Sequence, residues 1–229
     1  MKRTFLTVAT LVVGLFAMAQ TCPEYYPIHE GAMWEQQRFD AKDKLESTDI
    51  TRVVSVTPTP GGYEAVLENT STNPKEEGTY TSQLVYRCEN GVLFFDMNSL
   101  TDPSSLEAYQ GMDMKVESTG MQYPSVLAAG TTLPDASISI TVSNSGFQVF
   151  STSVQVSNRK VEGNESITVP AGTFQATKIS YTVNSKIAFV KVQSSVVEWI
   201  SPSAGIVRNE TYDKKGKLMG YSVLSKLVK

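Results

Sequence analysis

The sequence has 229 residues, 41% apolar and 19% charged, with a formal net charge of −3. That fits one ordinary globular domain, or two small ones, and one core can stabilise a chain of this length. Mild acidity argues against nucleic acid, which needs a basic face, and weakly against an anionic membrane surface.

The first residues point to export. Lys2 and Arg3 form a positive start, Phe5 to Phe16 an apolar run, and Ala17-Met18-Ala19 a small-residue cleavage site. The run is too short to span a membrane comfortably. A signal peptide is expected over residues 1–19, with the mature chain beginning at Gln20 as a single β domain over 20–229. Cleavage removes two positive charges and takes the net charge to −5, 18 basic against 23 acidic residues. Cys22 follows Ala19-Gln20-Thr21, which lacks the leucine and small residue of a lipid-modification site, so no acyl group is expected. No other long apolar stretch exists, so no transmembrane segment is expected after cleavage.

Cys22 to Pro27 reads as an extended lead-in, since its two prolines exclude a regular helix. Met33 to Phe39 is the first expected strand, and Asp40 to Lys44 a polar turn. Glu46 to Val56 reads as a strand with Ile50, Val54 and Val56 on one side, broken by Pro58-Thr59-Pro60-Gly61-Gly62. Tyr63 to Asn69 follows, with a hairpin at Asn73–Gly78. Tyr80, Leu84, Tyr86 and Cys88 share a face of the next strand, and Asn90-Gly91 is a strong two-residue hairpin signal. Val92 to Met97 is nearly all apolar. One short helix is expected over Asp102–Gln110, capped by Asp102, with Pro103 at its first position. Met112 to Ser118 reads as a strand. Gly120 to Asp135, with two prolines and Gly130, reads as a long loop over one end of the fold. Ile138, Ile140 and Val142 alternate with polar residues, and Phe147 to Val156 returns from a turn at Asn144-Ser145-Gly146.

The clearest strand grammar lies between Val161 and Tyr221. Pro170-Ala171-Gly172 is a turn, and Thr177, Ile179, Tyr181 and Val183 alternate with polar residues. Lys186 to Ile200 is a long β-branched run stopped by Ser201–Gly205. Gly205 to Tyr212 and Leu218 to Val228 flank the polar turn Asp213–Lys217. That turn echoes Phe39–Leu45, as if the first and last hairpins shared one solution, although both read first as ordinary polar hairpin turns.

"TVPAGTFQATKI", "VEWISPSAGIVRNETYDKKGKLMGYSVL" and the early "YYPIHEGAMWEQQRFDAKDKL" resemble the TapB-like family of small exported bacterial β-proteins of unknown function. The likeness covers most of the mature chain and consists of turn and strand motifs. It implies an antiparallel sheet curled into an open or closed barrel, similar in architecture to periplasmic lipoprotein-localisation carriers. It brings no catalytic residues. The residues read the same way: an all-β fold, an antiparallel meander of ten to twelve strands joined by short turns, and curled because so many twisted strands do not lie flat.

No catalytic apparatus is apparent. His29, the sole histidine, sits in the proline-rich lead-in beside Glu30 and reads as a surface residue, so a histidine-based nucleophile system is not expected, and zinc, which takes several His or Cys ligands, has no such set here. Asp40 and Asp43 lack the spacing of a calcium loop, and no phosphate-binding or dinucleotide fingerprint exists, so no metal or cofactor is expected. Glu64, Glu68, Glu198 and Glu210 lie on expected strands. They read as solvent-facing, although any of them facing a groove would admit carboxylate-based hydrolysis. Two cysteines in an exported chain are a natural pair, so Cys22 and Cys88 are expected to be bonded, with two separate thiols as the alternative.

The positive signal is aromatic side chains in nearly every strand. They pack a core, or some line an apolar cavity in the curled sheet. The candidate lining is Trp34, Ile138, Ile140, Val142, Tyr181, Trp199 and Tyr221. The expectation is a non-enzymatic periplasmic or extracellular protein that binds a hydrophobic small molecule, a lipid or lipidated chain, or an envelope protein. A structural domain with a filled core is the alternative, and a hydrolase the third reading.

Overall fold

The computed structural model describes residues 21–75, 78–100, 109 and 111–228. The expected signal peptide and nearly all of the expected Asp102–Gln110 helix lie outside them. The chain forms thirteen strands: β1 (Met33–Asp40), β2 (Leu45–Thr59), β3 (Gly62–Thr72), β4 (Thr79–Glu89), β5 (Val92–Phe95), β6 (Asp113–Thr119) and β7 (Met121–Pro124). Then come β8 (Ala136–Asn144), β9 (Phe147–Val169), β10 (Gly172–Ile187), β11 (Val190–Ser201), β12 (Gly205–Asp213) and β13 (Leu218–Val228). A single 3-10 turn, Met97–Leu100, is the helical element among the described residues.

All thirteen strands belong to one antiparallel sheet in the order β6-β8-β9-β10-β11-β12-β13-β1-β2-β3-β4-β5-β7. Two meanders are joined where the first and last strands pair, Met33 opposite Val228 and Asp40 opposite Gly220. The two edge strands, β6 and β7, are consecutive in sequence and separated by Gly120 alone. The chain itself therefore crosses the seam, and the sheet curls into a nearly closed barrel whose edges are tied covalently. Gly120 is required there, because a Cβ would stand 2.9 Å from the Phe95 carbonyl oxygen. Arg159 of β9 staples the same seam: its Nη1 donates to the carbonyls of Gln122 and Pro134, each at 3.0 Å.

The inner face follows from the pleat. Trp34, Val53, Leu67, Leu93, Ile140, Val142, Ile179 and Leu224 are buried in one continuous cluster. Several hairpin turns follow local chemistry. Asn90 and Gly91 both take positive φ, 50° and 80°, as a two-residue hairpin turn demands. The echoed turns are indeed one solution. Asp40 Oδ1 accepts from the amides of Lys42 and Lys44 at 2.8 and 3.0 Å, and Asp213 Oδ1 from those of Lys215 and Lys217 at 2.7 and 2.9 Å. These amide bonds favour the charged carboxylates and hold both aspartates below their ordinary pKa.

Four expectations are corrected. Val54 is exposed while Val53 is buried and Val56 packs against the core, because a bulge between Val53 and Ser55 breaks the alternation between Val54 and Val56. The Gly120–Asp135 segment is not wholly loop: Met121–Pro124 forms the edge strand β7, pairing Phe94 with Gln122 and Phe95 with Met121. The run Lys186–Ile200 is broken by a turn at Ala188-Phe189, where Ala188 takes φ 51° without any customary turn residue. Glu198 faces inward and is fully buried rather than solvent-facing.

Candidate functional site: an aromatic cavity with a buried carboxylate

The two ends of the barrel are built differently. At one end the lead-in 21–31 crosses the opening. The disulfide between Cys22 and Cys88 of β4 anchors it, with Cα atoms 5.9 Å apart. The Ser203 and Gly205 amides of the β11–β12 turn donate to the Glu24 and Tyr25 carbonyls, both at 2.6 Å. The Tyr25 hydroxyl donates to the Pro124 carbonyl of β7 at 2.6 Å. Tyr26 lies against Gly205, where a Cβ would come 2.1 Å from its ring. The lead-in is thus a cap that touches strands on both sides of the seam.

Beneath the cap lies a cavity of about 320 Å³. Its walls include Tyr26, Trp34, Tyr86, Phe95, Tyr123 and Tyr181, with Glu198 among them. Tyr26 lies 5.0 Å from Tyr86 and 5.4 Å from Trp34, centroid to centroid, and Tyr86 meets Phe95 edge-on at 5.5 Å. Glu198 Oε1 accepts from the Tyr123 hydroxyl and Oε2 from the Tyr181 hydroxyl, each at 3.0 Å. Burial raises the Glu198 pKa, opposed by the positive charge of Arg159 and by the two tyrosine hydrogen bonds. Burial likewise pushes Tyr86 up to about 12 and Tyr26, Tyr123 and Tyr181 well above their ordinary value. Arg159 is fully buried, with its Cζ 4.9 Å from the Tyr123 ring centroid. Its Nε and Nη2 find no protein partner.

Toward the turn end the inner rungs become polar, because β1 to β3 place hydrophilic residues at inward positions. Trp34 faces Thr51 and Thr51 faces Asn69; one rung on, Gln36 faces Asp49 and Asp49 faces Ser71; Arg38 then faces Ser47. Arg38 and Asp49 form an ion pair at 3.9 Å, and the Thr51 hydroxyl donates to Asn69 Oδ1 at 2.9 Å. The cavity therefore opens from an aromatic, carboxylate-bearing floor to a polar mouth. Beyond Arg38 a groove of about 550 Å³ continues over Glu46, Ser71 and Tyr80.

Of the residues singled out from sequence, Trp34 and Tyr181 border the cavity. Ile138, Ile140 and Val142 are buried in the same core without lining it. Trp199 takes the opposite pleat to Glu198 and does not line the cavity, yet it is buried within the core cluster. It packs under Lys178, whose Nζ is 5.2 Å from the ring centroid, and its indole donates to Glu165. Tyr221 does not line the cavity either; half-buried, it stacks on Phe39 at 5.1 Å with its hydroxyl on Asp43. The β11–β12 and β12–β13 registers set Trp199, Arg208 and Val223 in one row, on the pleat opposite Glu198. Sequence reasoning missed Glu198, Arg159 and Tyr123 as a unit. Only the Glu198 position was visible, as one carboxylate inside an otherwise apolar run.

Glu64 and Glu68 are exposed, and Glu210 pairs with Arg208 at 2.7 Å. The His29 ring is on the exposed surface beside the Glu30 carbonyl. Among the described residues no cluster of His, Cys, Asp and Glu could hold a metal ion. No described helix is long and apolar enough to cross a membrane.

These features define a curled antiparallel β-barrel, capped at one end, with an aromatic cavity inside it. The chain belongs to the DUF3108-like family, whose profile matches residues 29–224. A Bacteroides fragilis protein described as exported, with a YmcC-like fold, is 27% identical over 91% of this chain and all of its own, with a TM-score of 0.72. A Parabacteroides distasonis protein described as a lipoprotein is 28% identical over the same shares, with a TM-score of 0.73. No curated protein matches the sequence.

Proposed function

We propose that this chain is an exported cell-envelope protein that binds an apolar or amphipathic ligand, or a lipidated chain, in the barrel interior without catalysing a reaction. One observation carries the reading: a cavity walled by six aromatic rings ends on a buried carboxylate and opens through a polar mouth. Aromatic walls suit an apolar body, while Glu198 and the Arg38–Asp49 mouth suit polar groups at its two ends. The compartment follows from the similar proteins described as exported or as lipoproteins and from the signal-like first residues. The likeness to TapB-like proteins belongs to the same reading.

The test is saturable binding of an environment-sensitive apolar dye, paired with mass spectrometry of an organic extract of the purified protein. Trp34→Asp or Tyr181→Asp should abolish dye binding, and Trp34→Leu should weaken it with the fold retained by circular dichroism. A folded parent protein that binds no dye and releases no ligand would sink the reading in favour of a structural domain.

A second reading has one observation behind it. Glu198 and Asp49 line the same cavity, and Glu198 has a raised pKa, so an acid and a second carboxylate face a common space. Hydrolysis of a glycoside panel that Asp49→Asn and Glu198→Gln each abolish would replace the binding reading with this one.

A further inference from the structure

The end of the barrel opposite the cap carries a feature that the cavity does not explain. The β10–β11 hairpin continues for four rungs beyond its neighbour β12. The last β11–β12 rung is Ser194 with Asp213, whereas the β10–β11 ladder runs on from Asn184–Gln193 to Ile187–Val190. At roughly 3.3 Å per residue the hairpin stands about 13 Å proud of β12. Its tip is apolar: Phe189 is 98% exposed, Val190 64% and Ile187 60%. The β8–β9 hairpin reaches the same end, with Phe147 80% exposed and Val149 beside it. The two tips are neighbours, since the Ala188 amide donates to the Ser151 carbonyl of β9 at 3.0 Å. Isolated exposed apolar residues are ordinary; two adjacent tips led by largely exposed phenylalanines are a patch.

The charge around the patch is the reverse of the whole chain's. Lys186 and Lys191 flank the tip, and the next turn along the same end brings Lys214, Lys215 and Lys217. From Ser166 to Val197 the sequence holds no acidic residue, and none lies between Asp135 and Glu162. The carboxylates placed nearest by register are Asp213, opposite Ser194, and Asp113, opposite Ser143. Asp213 is already engaged by the amides of its own turn.

We infer that this end is a membrane-docking surface, in which Phe189, Ile187 and Phe147 enter the interface of an anionic phospholipid bilayer and the lysines lie among its headgroups. Apolar burial and lysine attraction to anionic lipid act together here, and neither alone gives firm anchoring. The net acidity of the chain does not oppose this, because charge acts over roughly a Debye length of ~8 Å and the local surface is basic. The inference is independent of the cavity reading and survives its failure.

Co-sedimentation with vesicles of phosphatidylcholine, with and without phosphatidylglycerol, tests it. The parent protein should bind the mixed vesicles and bind pure phosphatidylcholine far more weakly. Phe189→Asp should lower affinity at least about tenfold, and Lys186→Glu with Lys191→Glu at least about twentyfold, near fivefold or more for each lysine. Dye binding and thermal stability should stay at parental levels in these variants. Parent protein that ignores the mixed vesicles overturns the inference, as does undiminished binding by Phe189→Asp. A dimer in sedimentation velocity that Phe189→Asp dissolves would assign the tip to a second copy of the chain and also overturn it.

Discussion

The capped end and the turn end of the barrel use opposite devices. At the capped end, a strand-free segment is held by one disulfide, two short backbone hydrogen bonds, a tyrosine hydroxyl and a ring seated on a glycine. At the turn end, the hairpins hold themselves through Asp side chains and positive-φ residues. The difference teaches where stability is non-local. Loss of one anchor at the capped end should reach the whole fold, while changes at the turn tips should stay at the surface.

Four variants break or sharpen that contrast. The largest effect belongs to Cys22→Ser with Cys88→Ser. Loss of a bridge across a sequence separation of 66 should cost about 4 kcal/mol in the chain-entropy model. Thermal unfolding should drop by roughly 10 °C for a chain of this size, and equal melting of parent and variant would mean the cap is held without the bond. Next comes Gly205→Ala. It adds a Cβ into the Tyr26 ring at a residue with φ 72°, and strain plus overpacking should cost about 2–4 kcal/mol in denaturant titration.

Glu198→Gln reads the floor of the cavity. Burial raises the folded pKa of Glu198 above its ordinary 4.5, so on unfolding the group releases its proton more readily. The stability linked to it is present below that value and is lost as pH rises through the folded pKa. The parent's unfolding free energy should therefore fall relative to the variant's as pH rises above 4.5, by up to about 1.4 kcal/mol per pH unit. A constant difference between the two across pH 4 to 8 would place the titration elsewhere. The smallest effect is Phe189→Ser at the turn end. With the ring 98% exposed, the change in unfolding free energy should stay within about 0.5 kcal/mol, and a larger loss would show that the tip packs on something.

How much of this was legible depended on how local the cause was. Alternation at Ile138, Ile140 and Val142 and at Thr177 to Val183 marked buried strands, because a pleat of period two writes itself directly into sequence. Asn90-Gly91 and the paired Asp40 and Asp213 turns were readable for the same reason: each is satisfied by atoms within a few residues. Two cysteines in an export-type chain were enough to expect the Cys22–Cys88 bond.

Other features came from contacts distant in sequence. The bulge at Val53–Ser55 put Val56 on the opposite face from Val54, and no residue there announces it. The Ala188-Phe189 turn lacks glycine, asparagine or proline, so its hairpin is imposed by the eleven-rung β10–β11 register. Which face Trp199 and Glu198 take depends on which side the sheet curls toward, and a single strand does not contain that choice. Curling is set by β1 meeting β13 and by Gly120 carrying the chain across the seam. Those closures bring Tyr123, Tyr181 and Arg159 around one carboxylate. The amino-acid order determined the strands and their turns, since these rest on short-range sterics and hydrogen bonding. Tertiary closure alone decided that Glu198 is buried among tyrosines, because desolvation depends on which surfaces meet.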